Sequence, residues 1–269
     1  MYLADYHTHS RISPDARCSM TEMARAAVAA GLDELCFTDH LEPVNWYTQV
    51  PRDPFEWDAL REEFRQAREE LRDRIQLRLG VELGDAPRDF AHTERLMADA
   101  PELDFIIGSE HMLSEKYGYM DLSQFDPADE AEAREGIADY LHQVRLMAGW
   151  GKFNVLGHLT LPLRYLNENR GFHLTFDGFE DEVEDILRTL LENGCGIEVN
   201  TNRGNEPLPS EKWLRMYRRL GGEIITLGTD AHTTEFVGRA IRERQELLRE
   251  CGFRRFCTFE KQKPIWHEL

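Results

Sequence analysis

Short apolar runs alternate with longer amphipathic stretches along most of the chain. The runs at 2–6, 34–38, 76–83, 105–107, 153–156, 196–199 and 223–227 have the length and apolar character of strands. Between them, 20–30, 55–74, 90–99, 128–149, 180–193, 210–220 and 236–251 repeat apolar residues at helical spacing. Local punctuation agrees. Ser19-Met-Thr-Glu22 is a capping box, in which each side chain satisfies an orphan N–H at the start of a helix. Gly31, Gly194, Gly221 and Gly252 fall where helices stop and a left-handed residue is favoured. Strict alternation of the two patterns predicts parallel strands joined by crossover helices. No linker, repeat or composition break divides the sequence, so residues 1–269 are expected to form one domain. The longest irregular stretch, 41–54, holds Pro43, Pro51 and Pro54 with Trp46 and Tyr47, and is expected to form a rim or lid.

Each predicted strand runs into something polar. The first leads to His7-Thr-His9, the second to Thr38-Asp-His40, and the third carries Glu82. The fourth leads to His111, the fifth to His158, the sixth to Asn200-Thr-Asn-Arg203, and the seventh to Thr229-Asp230-Ala-His232. In a barrel of parallel strands the C-terminal ends converge on one face, and active sites are built there. A barrel would gather all of these residues, whereas an open doubly wound sheet would gather fewer.

His7 and His9 are two residues apart, so on extended backbone both rings project from one side. Asp230 and His232 repeat the spacing. Either pair alone is weak evidence; together with His40, Glu82, His111 and His158 they predict a metal cluster. Imidazole and carboxylate donors without cysteine suit zinc, manganese or iron in a site with open positions. Asp15, just beyond the first pair, is the least distinctive candidate, because a solvated loop aspartate looks the same. His92, His142, His173 and His267 lack a partner at this spacing and are expected on the surface.

Composition narrows the chemistry. The formal net charge of -18 opposes binding of long nucleic acid or an anionic membrane, although cations in a pocket would reverse the field for a small anion. No apolar run approaches the roughly 20 residues of a membrane-spanning helix, and the start of the sequence lacks the pattern of a secretory leader. Five cysteines without CxxC spacing fit free thiols in a reducing cytoplasm better than a disulfide framework or a cysteine zinc site.

The motifs His7-Thr-His9-Ser10, Thr38-Asp39-His40, Gly80-Val-Glu82, Gly108-Ser-Glu-His111, Gly157-His158 and Gly228-Thr-Asp230-Ala-His232 resemble, in order, those of the polymerase and histidinol phosphatase (PHP) family. Within that family the chain resembles the stand-alone histidinol-phosphate phosphatases, and Ser13-Pro14-Asp15 fits that branch. The resemblance implies a distorted (β/α)7 TIM-like barrel holding three divalent metal ions. It implies that His7, His9, Glu82 and Asp230 bind the first, that Glu82, His111 and His158 bind the second, and that Asp15, His40 and His232 bind the third. Some relatives have histidine where Asp15 stands, which leaves the identity of that ion open between zinc, manganese and iron.

The implied reaction is hydrolysis of L-histidinol phosphate in histidine biosynthesis, with Glu82, Asp230 and His232 central to catalysis. Water activated by bound cations would attack phosphorus, so no nucleophilic serine or cysteine is required, and none has a recognisable signature. Arg164 and Arg203 are expected on the rim, where guanidinium forks would hold the phosphate. The alternatives are a related esterase acting on another small phosphate ester, cyclic phosphate or nucleotide, and a non-catalytic metal-binding scaffold. An amidohydrolase barrel would offer a bridging lysine at a strand end, and none is assigned there.

Overall fold

The computed structural model describes residues 1–45, 48–52 and 55–269. Seven strands form one parallel sheet in sequential order: β1 (Ala4–Asp5), β2 (Glu34–Leu41), β3 (Gln76–Gly84), β4 (Phe105–Ser109), β5 (Val155–Leu156), β6 (Gly196–Asn200) and β7 (Ile225–Gly228). The sheet curls until its edges meet. Tyr6 N donates to Leu227 O at 2.8 Å, His9 N donates to Ala231 O at 2.9 Å, and Thr8 bridges Ala231 in parallel. Asp5 reinforces this seam, its carboxylate accepting Thr229 N, Thr229 Oγ1 and Gly238 N. The result is the expected distorted seven-stranded barrel.

Among the described residues, seven α-helices lie between and after the strands: α1 (Met20–Ala29), α2 (Trp57–Leu71), α3 (Phe90–Ala98), α4 (Glu130–Trp150), α5 (Glu180–Glu192), α6 (Glu211–Arg219) and α7 (Ile241–Glu250). Their apolar stripes face the barrel. In α5 the buried residues Val183, Ile186, Leu187 and Leu190 recur at three- and four-residue spacing, while the acidic residues of its first turn complement the helix dipole. The capping box at Ser19 and Glu22 forms as predicted. Gly31, Gly194, Gly221 and Gly252 all have positive φ just past a helix end. Among the described residues, no helix is long and apolar enough to cross a membrane.

Several expectations are corrected. β2 continues to Leu41, so Asp39 and His40 lie within a strand. The seventh helix starts at Ile241, and residues 233–240 form turns that lead Gly238 back to Asp5. A C-terminal antiparallel hairpin, β8 (Arg255–Glu260) and β9 (Lys263–Glu268), was not foreseen. Phe259 packs on Phe105 with ring centroids 4.9 Å apart, its backbone N–H reaches Tyr6 Oη, and Cys257 Sγ contacts Ile225 O. The hairpin therefore covers the strand starts, opposite the histidines.

His92 is not on the surface. It is buried, with Nε2 bonded to Arg52 O at 2.8 Å, which ties α3 to the loop after β2. His267 is half-buried and stacks on Tyr2 at 4.0 Å, while His142 and His173 are exposed as expected. In the 41–54 stretch, Val44 bridges Pro51 in antiparallel fashion. Trp46, Tyr47 and Pro54 of the expected rim or lid lie outside the described residues.

Candidate metal centre

The barrel delivers its polar strand ends to one bowl. His40 and Glu82 are register partners on β2 and β3, so their side chains leave the sheet on the same face. His7 and His9 flank Thr8 at the closing bridge to Ala231 and project together. Asp230 has φ 57°, a left-handed conformation that aspartate tolerates better than most residues, and its N–H donates to His7 O at 2.7 Å. Asp39 secures the turn after His9 from within β2. It accepts Ser10 N at 2.6 Å, Ser10 Oγ at 2.8 Å and Ser13 Oγ at 2.7 Å, and this turn carries Asp15 to the mouth.

Glu82 occupies the centre. Its Oε1 lies 2.9 Å from His158 Nε2 and 3.3 Å from both His111 Nε2 and His7 Nε2. Its Oε2 lies 3.0 Å from His40 Nδ1 and 3.5 Å from His9 Nε2. Asp230 Oδ1 is 3.3 Å from His9 Nε2, 3.6 Å from His7 Nε2 and 3.6 Å from His232 Nδ1. Asp15 Oδ2 is 3.0 Å from His232 Nε2 and 3.6 Å from His40 Nε2. All nine expected positions thus converge.

The spacing fits cations better than it fits direct pairing. Donors at about 2.0–2.1 Å around a tetrahedral ion sit about 3.3–3.4 Å from one another, in the middle of the 2.9–3.6 Å range that these atoms span. Four trios have donor atoms within 4.8 Å of one another: His7/His9/Asp230, His7/Glu82/His158, His40/Glu82/His111 and His9/His40/His232. Three buried atoms at the centre, His7 Nε2, His9 Nε2 and Glu82 Oε2, make no hydrogen bond among the described residues. Buried polar atoms rarely stay unsatisfied, and a cation would satisfy these.

Electrostatics separate the histidines. Burial would strip His7 of charge, but Glu198, Glu82 and Asp230 outweigh it and hold its pKa well above the usual value. Burial holds His9 well below it, with the neighbouring His232 and His40 adding to the effect, and burial also lowers His158. For His111, burial is outweighed by Glu82 and Asp85, and its pKa rises to about 9. Burial opposes ionisation of Glu82, yet the surrounding histidines keep its carboxyl well below the usual carboxylate range. Asp15 is likewise lowered, because hydrogen bonds from His232 and His40 overcome its partial burial. A carboxylate core inside a shell of basic rings is an environment that a divalent cation can enter by displacing protons.

The two expected phosphate contacts differ in position. Arg164 does not stand on the rim. It is buried beside the cluster, where Nη1 donates to Asp230 Oδ2 at 2.6 Å, Nε to Asn202 Oδ1 at 2.8 Å and Nη2 to Asn200 Oδ1 at 3.0 Å. Arg203 is exposed, near the ring of Phe236, and does edge the pocket. That pocket, of about 280 Å³, is lined by both arginines together with Asp15, His40, His111, His158, Asp230 and His232.

Asp121, Ser123 and Tyr165 also line it and were not singled out from sequence. The aromatic residues of the same loop turn elsewhere: Tyr117 packs edge-on against Phe125, and Tyr119 lies under Arg88. Glu198 is the other omission. Buried on β6, it bonds His7 Nδ1 at 2.7 Å and accepts His158 N at 2.8 Å. Its one sequence signal was a charge within an apolar run.

Comparison with known proteins agrees with this geometry. The PHP domain profile matches residues 5–202, about three quarters of the sequence. The chain belongs to the PHP domain family. Within it, the chain is 28% identical over 268 residues to a histidinol-phosphatase of Lactococcus lactis, covering 96% of this chain and 95% of that one. A crystal structure of histidinol phosphate phosphatase from L. lactis, complexed with zinc, L-histidinol and phosphate, superposes with a TM-score of 0.80 at 26% identity over 98% of both chains. A structure from Listeria monocytogenes shares the PHP fold, with a TM-score of 0.76 at 17% identity over 89% of this chain and 99% of that one.

Proposed function

We propose that this protein is a metal-dependent phosphomonoesterase that converts L-histidinol phosphate to L-histidinol and phosphate. The reading rests above all on the nine-residue histidine and carboxylate cluster at the C-terminal strand ends. Full-length similarity to the L. lactis phosphatase supports the choice of substrate. His7, His9, Glu82 and Asp230 would hold one cation, Glu82 with His111 and His158 a second, and Asp15, His40 and His232 a third. Zinc, manganese and iron are all compatible with these donors. Bound cations supply Lewis acidity, lowering the pKa of water and offsetting negative charge on a phosphoryl group.

The protein's own side chains supply placement. Glu82 and Asp230 each reach several histidines and would fix the spacing between cation positions, while His232 joins Asp15 to Asp230 at the open side. Arg164 commits three of its five N–H groups to Asp230, Asn202 and Asn200, leaving one on each Nη for a phosphoryl oxygen. Held from below in this way, its fork loses little freedom on binding. Arg203 would contribute charge from the rim. The pocket's volume of about 280 Å³ suits a small ester, and the 269 residues would act as one barrel unit.

Phosphate release from L-histidinol phosphate by zinc- or manganese-loaded protein, with a chelated control, tests the proposal. Chelator-sensitive turnover, with clear preference over nucleotides and cyclic phosphates, is the expected outcome. Efficient hydrolysis of an aryl phosphate without turnover of histidinol phosphate would overturn the substrate and keep the chemistry. Arg203→Ala should raise KM without changing metal content. Arg164→Ala should raise KM and also loosen metal binding, because Asp230 loses its partner.

A further inference from the structure

β6 supplies no expected metal ligand, yet two of its side chains and one just beyond it support those that do. Glu198 and Asn200 are two residues apart on the strand and share its face, and Asn202 lies in the turn just beyond it. Asn200 and Asn202 hold Arg164, which holds Asp230. Glu198 acts on His7 directly. We infer that Glu198 is a positioning residue for the metal centre: when a cation displaces the proton of Nε2, the Glu198 carboxylate keeps the remaining His7 proton on Nδ1, so that Nε2 offers the cluster its lone pair. The inference rests on the reading of that cluster as a metal site.

The geometry leaves Glu198 little else to do. It is 1% exposed, and an ionised carboxylate at that depth is costly unless its oxygens are matched. Oε1 is 2.7 Å from His7 Nδ1, and Oε2 accepts His158 N at 2.8 Å with a longer contact to Asn200 Nδ2 at 3.4 Å. One carboxylate therefore fixes the ring of one expected ligand and the backbone of another.

Space for it is reserved by glycine. A Cβ at Gly228 would lie 2.2 Å from Glu198 Oε1 and 2.4 Å from His7 Cβ, so no larger residue fits at that point of β7. The remote nitrogens of other histidines meet groups of several kinds, among them the Glu42 carboxylate, whose Oε1 lies 3.0 Å from His40 Nδ1. His9 Nδ1 meets Ser13 Oγ at 3.1 Å, a hydroxyl that can donate or accept, whereas His232 Nδ1 meets the Asp230 carbonyl at 3.0 Å, which like a carboxylate only accepts. A carboxylate accepts only, and so dictates the tautomer.

This logic makes Glu198→Gln informative, because the side chain keeps its shape and loses one acceptor. The two groups it faces are not equivalent: a peptide N–H keeps its hydrogen, whereas an imidazole can move one from Nδ1 to Nε2. The glutamine carbonyl should therefore take His158 N, and its NH2 should face His7 Nδ1. His7 would then carry its proton on Nε2, the nitrogen aimed at the metal.

The test is zinc affinity by chelator competition, for wild type and Glu198→Gln, alongside thermal melting of both metal-free proteins. The expected result is a tenfold to hundredfold loss of affinity for at least one equivalent, the range for outer partners of metal-bound histidine. Metal-free melting should change far less than it does on losing a buried structural pin. Unchanged affinity in a folded variant would overturn the role of Glu198 and leave the metal centre standing. Failure of the wild type to bind zinc would overturn both readings. Should the variant fail to fold, long-range proton–nitrogen NMR of zinc-loaded wild type decides the matter. His7 should carry its proton on Nδ1 and zinc on Nε2, and the reverse assignment would overturn the inference.

Discussion

Metal binding at this centre should be steeply pH-dependent, and His111 sets the minimum slope. Its pKa rises from the usual 6.5 to about 9, because Glu82 and Asp85 outweigh burial. A folded value above the unfolded one means that the protonated ring stabilises the metal-free protein fully below pH 6.5, and that this contribution is lost as pH rises through about 9. At about 1.4 kcal/mol per pH unit, the gap amounts to roughly 3.5 kcal/mol. A cation needs the neutral ring, so at pH 7.5 removing that proton costs about 2 kcal/mol, or roughly thirtyfold in apparent affinity relative to a neutral His111. Between pH 7 and pH 8 the affinity should rise about ninefold from this residue alone, with one proton released per binding event. His7 and His40, also held protonated by neighbouring carboxylates, should steepen the dependence further.

Calorimetry with manganese, in buffers of different ionisation heat, reads both slope and proton count. Metal-free protein should lose thermal stability from pH 6.5 to 9 while the loaded form holds steady. His111→Asn should remove about one proton from the count. PH-independent affinity over this range, with no proton release, would refute the electrostatic account of the cluster.

Other perturbations probe the scaffold. Gly228→Ala places a methyl 2.2 Å from Glu198 Oε1, and overpacking of this kind costs about 1–3 kcal/mol; differential scanning calorimetry should show the lower melting temperature, with metal stoichiometry falling too. Asp39→Ala strips Ser10 and Ser13 of their shared acceptor in a fully buried site, and each orphaned donor costs about 1–3 kcal/mol, measurable by urea denaturation. Ser19→Ala removes the capping box of α1 and should cost about 1 kcal/mol in the same assay, while turnover stays unchanged because the cap is exposed and outside the bowl.

The barrel was legible because its two periodicities are unambiguous. Seven apolar runs became seven strands, and the ends gathered where a parallel barrel must gather them. What the pattern hid were edges and extensions. β2 runs on to Leu41 because Asp39 and His40, polar by type, are buried by the neighbouring strand and the turn after His9. The hairpin β8–β9 escapes the pattern because β9 is mostly exposed and has no apolar face to announce it. His92 was read as surface because its partner is a backbone carbonyl 40 residues away, which no side-chain spacing records.

The same reasoning explains why ligand positions were easier to find than their supports. A metal-binding side chain has to belong to a small set of residue types and reach a strand end, so motif and position select it together. A supporting side chain has to satisfy only one partner, from any direction. Glu198 lies inside an apolar run, as Glu82 does, and the two are indistinguishable by local pattern. Both are buried carboxylates in the same barrel. They differ in which face of which histidine they meet: Glu82 lies against Nε2 of His7, on the side of the cluster, and Glu198 against Nδ1, on the side of the wall. That distinction is a matter of a few ångströms across one imidazole ring, set by β3 and β6 lying on different sides of β1. The sequence contains the glycine at 228 that makes the second contact sterically feasible, but its meaning is available only once β7 is seen to pass between Glu198 and His7.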